Sequence, residues 1–333
     1  MNQVNSINGG INGGVNGGIN GGVNGGINGG VNGGVNGGVN GGTNTLNQKT
    51  KQVYITQNIT ACKLGFYMNC PSSKALKTTF VPNFAIPEAQ TLANVYIVNS
   101  HPIDLVAEFT NRGVNVEPKD GLRPVVMCTV NRESFFGTNF NQSEGMIDDL
   151  FNLRCNYNMI TQNGNPFPIK DKECVYNKFL TVIRDAKFNP IPLQNTYTFS
   201  VITISSIHKP PLIDENRMGT NEFLNLMSTV ETMFQTAIYY GHNVLILSPI
   251  GHTEDDVPQE DVIKIYNSLI FKYQHMFMYI VVAVPESLGS DVYALYESNI
   301  IIPQEIASSD SDDITVKIKN NKTGKTKKSV NDN

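Results

Sequence analysis

Between about Lys51 and Pro303 the chain alternates short apolar runs with stretches in which apolar residues recur at helical spacing. "VYIVN" (Val95–Asn99) predicts a strand, and Leu105, Val106 and Phe109 in the following "PIDLVAEFTNRG" predict a helix. "PVVMCTVN" (Pro124–Asn131) is continuously apolar, as expected of a strand buried on both faces of a covered sheet. A polar loop then leads into an amphipathic helix carrying Met146, Ile147, Leu150 and Phe151. "YTFSVITIS" (Tyr197–Ser205) predicts another strand, closed by "HKPP". A helix is expected from about Thr220 to Tyr240, with Phe223, Leu226, Met227, Val230, Met233, Ala237 and Ile238 on one face. "NVLILSP" (Asn243–Pro249) and "YIVVAVP" (Tyr279–Pro285) read as buried strands. Between them lies a helix with Val262, Ile265, Tyr266, Leu269, Ile270 and Tyr273 in register. This β-α-β rhythm predicts an α/β fold, a mixed and largely parallel sheet with helices on both sides.

The ends depart from that pattern. From Ile7 to Gly42 the chain repeats "INGG" or "VNGG" with a period of four. One branched residue in four cannot build a core, and the glycines make order entropically costly, so residues 1–46 are expected to be a disordered leader. A glycine-rich stacked assembly is the alternative. Beyond Pro303, "SSDSDD" (Ser308–Asp313) is followed by six lysines between Lys317 and Lys328, so residues 306–333 are expected to form a charged, flexible tail. Residues 47–94 read as an accessory segment of the main domain, 95–305.

Composition narrows the function. The 333 residues are 40% apolar and 16% charged with formal net charge −4, enough chain for an ample core and too acidic to suggest nucleic acid or an anionic membrane as partner. No apolar run approaches the roughly 18–20 residues that span a bilayer. The start "MNQVNSINGG" lacks the basic and apolar regions of a signal peptide. The cysteines Cys62, Cys70, Cys128, Cys155 and Cys174 are odd in number and contain no C-x-x-C pair, which predicts reduced thiols in an intracellular protein. High Asn, Ile, Lys and Tyr usage fits an AT-rich genome such as that of a large DNA virus or a protist, placing the protein in cytoplasm or a virion. His101, His208, His242, His252 and His275 show no H-x-x-x-H spacing, so no metal and no cofactor is expected. No G-x-S-x-G elbow appears.

In such sheets ligands bind at the carboxyl ends of strands. Two loops there carry chemistry. The first, "NRESFFGTNFNQSEG", places Glu144 in the first turn of its helix, where a carboxylate is favoured on electrostatic grounds alone. The second is "SPIGHTED" (Ser248–Asp255), in which Gly251 is either a turn glycine or part of a phosphate cradle. Glu254, Asp255 and Asp256 read as cap and first turn of the next helix. His208 and His252 each follow a strand and are placed to line a cleft.

The order of these pieces resembles the catalytic domain of microbial-type poly(ADP-ribose) glycohydrolases, a branch of the macro-domain fold. The counterparts are "NRESFFGTNFNQSEG", "FLTVIRD" (Phe179–Asp185), "SVITISS", the long helix, "LILSPIGHTEDDVP" and "YIVVAVP". The resemblance spans Val95 to Pro285 and implies a three-layer α/β/α macro-domain-like mixed sheet. In that family a Gln-Glu-Glu signature supplies one glutamate that binds ribose and a second that protonates the leaving oxygen. Gln142 matches the glutamine, Ser143 replaces the first glutamate, and Glu144 matches the catalytic second. A three-glycine stretch would fall on Arg132, Glu133 and Ser134, leaving Gly137 nearer the helix. In the second loop Gly251 persists, with His252 and Thr253 where a cysteine and a glycine are usual. The resemblance implies Glu144 as catalytic residue and Asn131, Gly137, Gln142, Ser143, Ser248, Gly251, His252 and Thr253 as ligand-binding residues. ADP-ribose or an ADP-ribosylated protein is the implied partner. The departures imply a degenerate site, a pseudoenzyme or weak hydrolase. The other function class is a non-enzymatic structural or interaction protein that reuses the fold.

Overall fold

The computed structural model describes residues 48–67, 76–78, 92–111, 121–130, 132, 146–156, 166–214, 216–252 and 255–303. The expectations for the leader and the tail lie outside these residues. Helix α1 (Gln48–Lys63) comes first, then strands β1 (Leu76–Thr78) and β2 (Asn94–Val98), and a short helix α2 (Pro102–Val106). Next are β3 (Pro124–Val130), α3 (Met146–Arg154), β4 (Cys174–Val182) and β5 (Tyr197–Ser205). A small hairpin, β6 (Leu212–Asp214) and β7 (Arg217–Met218), precedes α4 (Thr220–Tyr239). The chain continues through β8 (Val244–Leu247), α5 (Gln259–Tyr273), β9 (Tyr279–Ala283) and α6 (Ser290–Asn299).

Seven strands form one sheet in the order β1-β4-β5-β3-β8-β9-β2. The pairs β5–β3, β3–β8, β8–β9 and β9–β2 are parallel. Strand β4 runs antiparallel to both neighbours. The three strands read as buried from their apolar runs, β3, β8 and β9, therefore share one sheet with β5. Every residue of β3 and of β8 is buried, which is why neither alternates apolar with polar.

Side-chain alternation shows that the helices cover both faces. Tyr197 of β5 donates its hydroxyl to the Ile103 carbonyl of α2 at 2.9 Å, and Phe199 meets Phe151 of α3 edge-on at 6.4 Å. Ile202, three residues on and so on the opposite face, is level with Met127 of β3, whose sulfur accepts from Tyr266 of α5 at 3.6 Å. Helices α1, α2 and α3 therefore lie on one side. The other side holds α4 and α5, tied to one another by Gln235 and Tyr273, and α6, joined to α5 through Tyr296 and Gln259. The four described cysteines are free thiols. No described helix is long and apolar enough to cross a membrane.

His242, 7% exposed, sits where α4 turns into β8. Its Nε2 lies 3.0 Å from the Tyr176 hydroxyl and its Nδ1 3.1 Å from the Arg123 carbonyl, contacts that the neutral ring with its proton on Nδ1 satisfies. Burial pushes its pKa down to about 4. A histidine held neutral by the fold contributes stability above its unfolded pKa of about 6.5, and loses it as the pH falls from there toward the folded value. Unfolding free energy is therefore expected to fall between about pH 7.5 and 4.5 by roughly 2–3 kcal/mol more in the parent than in His242→Gln. Urea titrations at both pH values measure this. An equal fall in the two proteins contradicts it.

Candidate functional site

Because β2, β3, β5, β8 and β9 are parallel, the segments after Val98, Val130, Ser205, Leu247 and Ala283 all emerge at one edge of the sheet. Antiparallel β4 begins at that same edge, which brings Asp171 there as well. A cleft of ≈ 390 Å³ opens at this edge. Arg132 lines it from the end of β3, Asp171 from the turn before β4, and Ser206, Ile207, His208, Pro210 and Pro211 from the segment after β5. Glu222 and Asn225 enter from the start of α4, and Asp255 from the segment after β8.

The loop after β8 is held from inside the protein. The Ser248 carbonyl accepts from the buried Tyr266 hydroxyl at 2.5 Å. The Ile250 carbonyl accepts from Gln259 Nε2 at 2.9 Å, and the Gly251 carbonyl from Val257 N–H at 3.0 Å. Each of these bonds engages a loop carbonyl, so none spends an N–H of residues 250–252. Gly251 has φ +58°, and a Cβ there would lie 2.5 Å from Val257 Cγ2, 2.6 Å from Ser206 Oγ and 2.9 Å from Asp255 Cβ. Both backbone angle and space require glycine. His252 Nε2 lies 3.2 Å from the Leu288 carbonyl, which turns that side chain toward the segment after β9.

Two loops are latched together at the cleft. His208 Nδ1 lies 3.0 Å from Asp255 Oδ1, and Lys209 N–H donates to the Asp255 carbonyl at 2.8 Å. Lys209 and Asp256 adopt positive φ (45° and 49°) on either side of this contact. Asp255 thus has a different role from the cap or first-turn role its sequence suggests, and Glu254 lies outside the described residues. Pro258 occupies the cap position of α5, and Glu260 and Asp261 form its first turn. Asp255 instead bonds the loop after β5, because three residues separate it from the helix.

Arg132 pairs with Asp171 at 3.3 Å, both half-exposed, a contact worth about 0–1 kcal/mol. The Arg132 carbonyl also accepts from Ile169 N–H at 2.9 Å. The hydroxyls of Ser206 and Ser248 are buried with no hydrogen-bond partner among the described residues. Burial pushes the thiol of Cys174 up to about 12 and that of Cys155 higher still, which disfavours the thiolate at both.

Of the residues named from sequence, Ser248, Gly251 and His252 stand on the loop after β8, outside the residues that line the cleft, whereas His208 lines it. Asn131, Gly137, Gln142, Ser143, Glu144 and Thr253 lie outside the described residues. Ser206, Glu222, Asn225 and Asp171 were not singled out. The rule that places ligands at carboxyl ends of strands reaches Ser206, and Glu222 stands in the first turn of its helix, but nothing in their spacing marks them.

No protein-family model matches the chain, and no curated protein matches it in sequence. Solved structures do. The poly(ADP-ribose) glycohydrolase of Thermomonospora curvata superposes with a TM-score of 0.56 at 11% identity, over 75% of this chain and 98% of that one. The same enzyme bound to the inhibitor ADP-HPD gives 0.51 at 11% identity, over 75% and 98%. The Deinococcus radiodurans glycohydrolase in complex with ADP-ribose gives 0.50 at 10% identity, over 63% of this chain and 86% of that one. The chain has the fold of the microbial poly(ADP-ribose) glycohydrolases.

Proposed function

We propose that this protein binds ADP-ribose at the carboxyl edge of its sheet and hydrolyses poly(ADP-ribose) weakly or not at all. The observation that carries the binding is the loop Ser248–His252. Its carbonyls are bound inward, its N–H groups at 250–252 are not used in those bonds, and Gly251 holds a left-handed turn with no room for a side chain. Backbone N–H groups beside such a turn form a concavity suited to a diphosphate. A structure of similar fold holds ADP-ribose, which supports the choice of ligand.

Arg132 supports the weak-hydrolysis part. It stands where the resemblance puts the first of three glycines, and its side chain enters the cleft beside Asp171. A general acid needs a raised pKa, and a guanidinium in the cleft favours the charged form of a carboxylate and so opposes that. Calorimetry is expected to give ADP-ribose a Kd below about 1 mM, or roughly −4 kcal/mol. Release of ADP-ribose from poly(ADP-ribose) is expected to stay near background and to change less than about twofold in Glu144→Ala. No heat of binding would reject the reading, and robust turnover lost in Glu144→Ala would make the protein a working glycohydrolase.

A further inference from the structure

Resting on that reading, we infer that the site takes ADP-ribose attached to a basic, apolar stretch of a protein in preference to the interior of the polymer, with Glu222 as the residue that selects it. The argument starts from charge. Asp171, Glu222 and Asp255 bring three carboxylates to the cleft against the guanidinium of Arg132 and the imidazole of His208. Arg132 is paired with Asp171 and His208 with Asp255, whereas Glu222 makes no ion pair among the described residues. Its carboxylate folds back over Gly219 at the start of α4, which packs on β5 and β4. The acidic wall runs from Asp255, beside Gly251 on the loop after β8, to Glu222 at the start of α4.

Two further observations point to a ligand that continues past this wall. Ser206 lines the cleft with its hydroxyl buried and with no partner among the described residues, a polar group that a ligand atom would satisfy. The cleft wall also leads directly into an exposed apolar rim. From Pro210 and Pro211 the chain enters the β6–β7 hairpin, where Leu212 and Ile213 are 48% and 61% exposed. The Gly219 N–H bond to the Pro211 carbonyl (2.8 Å) fixes the hairpin base beside Glu222. A carboxylate flanked by exposed leucine and isoleucine suits a segment carrying Arg or Lys among apolar residues. A polymer with a diphosphate in every unit meets repulsion there instead.

Fluorescence anisotropy of the full chain tests this with free ADP-ribose, linear poly(ADP-ribose), and two peptides each bearing one ADP-ribose on serine, one rich in Arg and Leu and one rich in Glu and Ser. Both peptides are also used unmodified. The modified basic peptide is expected to bind about tenfold more tightly than the modified acidic one and than the polymer, with the advantage reversed in Glu222→Arg. Ile213→Asp, on an exposed position that folding does not need, is expected to reduce the same advantage. If every ADP-ribosylated probe binds within about twofold of free ADP-ribose, the inference fails while ADP-ribose binding stands. If none binds, or the unmodified peptide binds as well as its modified form, the ADP-ribose reading fails and takes the inference with it.

Discussion

Gly251→Ala is expected to lower the unfolding free energy by about 2–6 kcal/mol and to weaken ADP-ribose binding by about tenfold or more. Two costs combine. The residue has φ +58°, and holding a side chain in that region costs about 1–3 kcal/mol. The new methyl would also approach Val257 Cγ2 to 2.5 Å and Ser206 Oγ to 2.6 Å, and overpacking of this kind costs about 1–3 kcal/mol. Relief requires Val257, Ser206 and Asp255 to give way, and Val257 and Asp255 belong to the segment that follows the proposed diphosphate contacts. Gly121 provides the control, since its φ is +71° but a Cβ there meets nothing within 4 Å. Gly121→Ala should show the conformational cost alone and leave binding intact. Urea unfolding and calorimetry on both variants measure the contrast. If Gly251→Ala matches Gly121→Ala in both, the tight loop has no role in binding.

The sheet was legible in the sequence because its central strands are apolar without interruption. "PVVMCTV" and "VLIL" are buried at every position, so each run could be read before any partner was known. Helices α4 and α5 were legible for the complementary reason, a single apolar face, and Val262, Ile265, Tyr266, Leu269, Ile270 and Tyr273 are all buried. Helix α1 was not legible. Its buried positions are Thr50, Ile55, Asn58 and Cys62, so half of its inward face is polar and no apolar stripe forms. The β6–β7 hairpin escaped for the opposite reason, since exposed Leu212 and Ile213 look like core residues in a sequence.

The site was legible to the same limited degree. Gly251 could be marked as a turn glycine, but the contacts that make it indispensable come from Ser206, whose strand precedes it by the whole of α4 and β8. The latch between His208 and Asp255 joins residues 47 apart, and no local rule pairs them. Composition gave acidity for the chain as a whole. It could not say that a carboxylate without an ion pair would stand at the start of α4 while those of Asp171 and Asp255 contact Arg132 and His208.

Asn58→Leu is expected to cost about 3–5 kcal/mol of stability, a large effect for one neutral substitution. Asn58 is 1% exposed and is fully engaged. Its Nδ2 donates to the carbonyls of Asn152 (3.0 Å) and Leu153 (2.9 Å), and its Oδ1 accepts from Arg184 Nε at 2.6 Å. The two carbonyls belong to the last turn of α3, where helix geometry supplies no donor. Ile183 and Arg184 N–H groups serve the Arg154 carbonyl in the same place, at 2.8 and 3.0 Å. Leucine fits a similar volume but removes three hydrogen bonds, and Arg184, 4% exposed, keeps its charge with fewer acceptors. Losing a partner from a buried polar group costs about 1–3 kcal/mol each, which sets the size of the effect. The damage should be local as well as global. The described part of helix α3 runs from Met146 to Arg154, and this asparagine fixes its C-terminal end. Hydrogen exchange in residues 147–154 should therefore quicken more than in α5, whose anchors Tyr266 and Gln259 are untouched. A uniform increase across both helices would mean that Asn58 supports the fold without specifically holding α3.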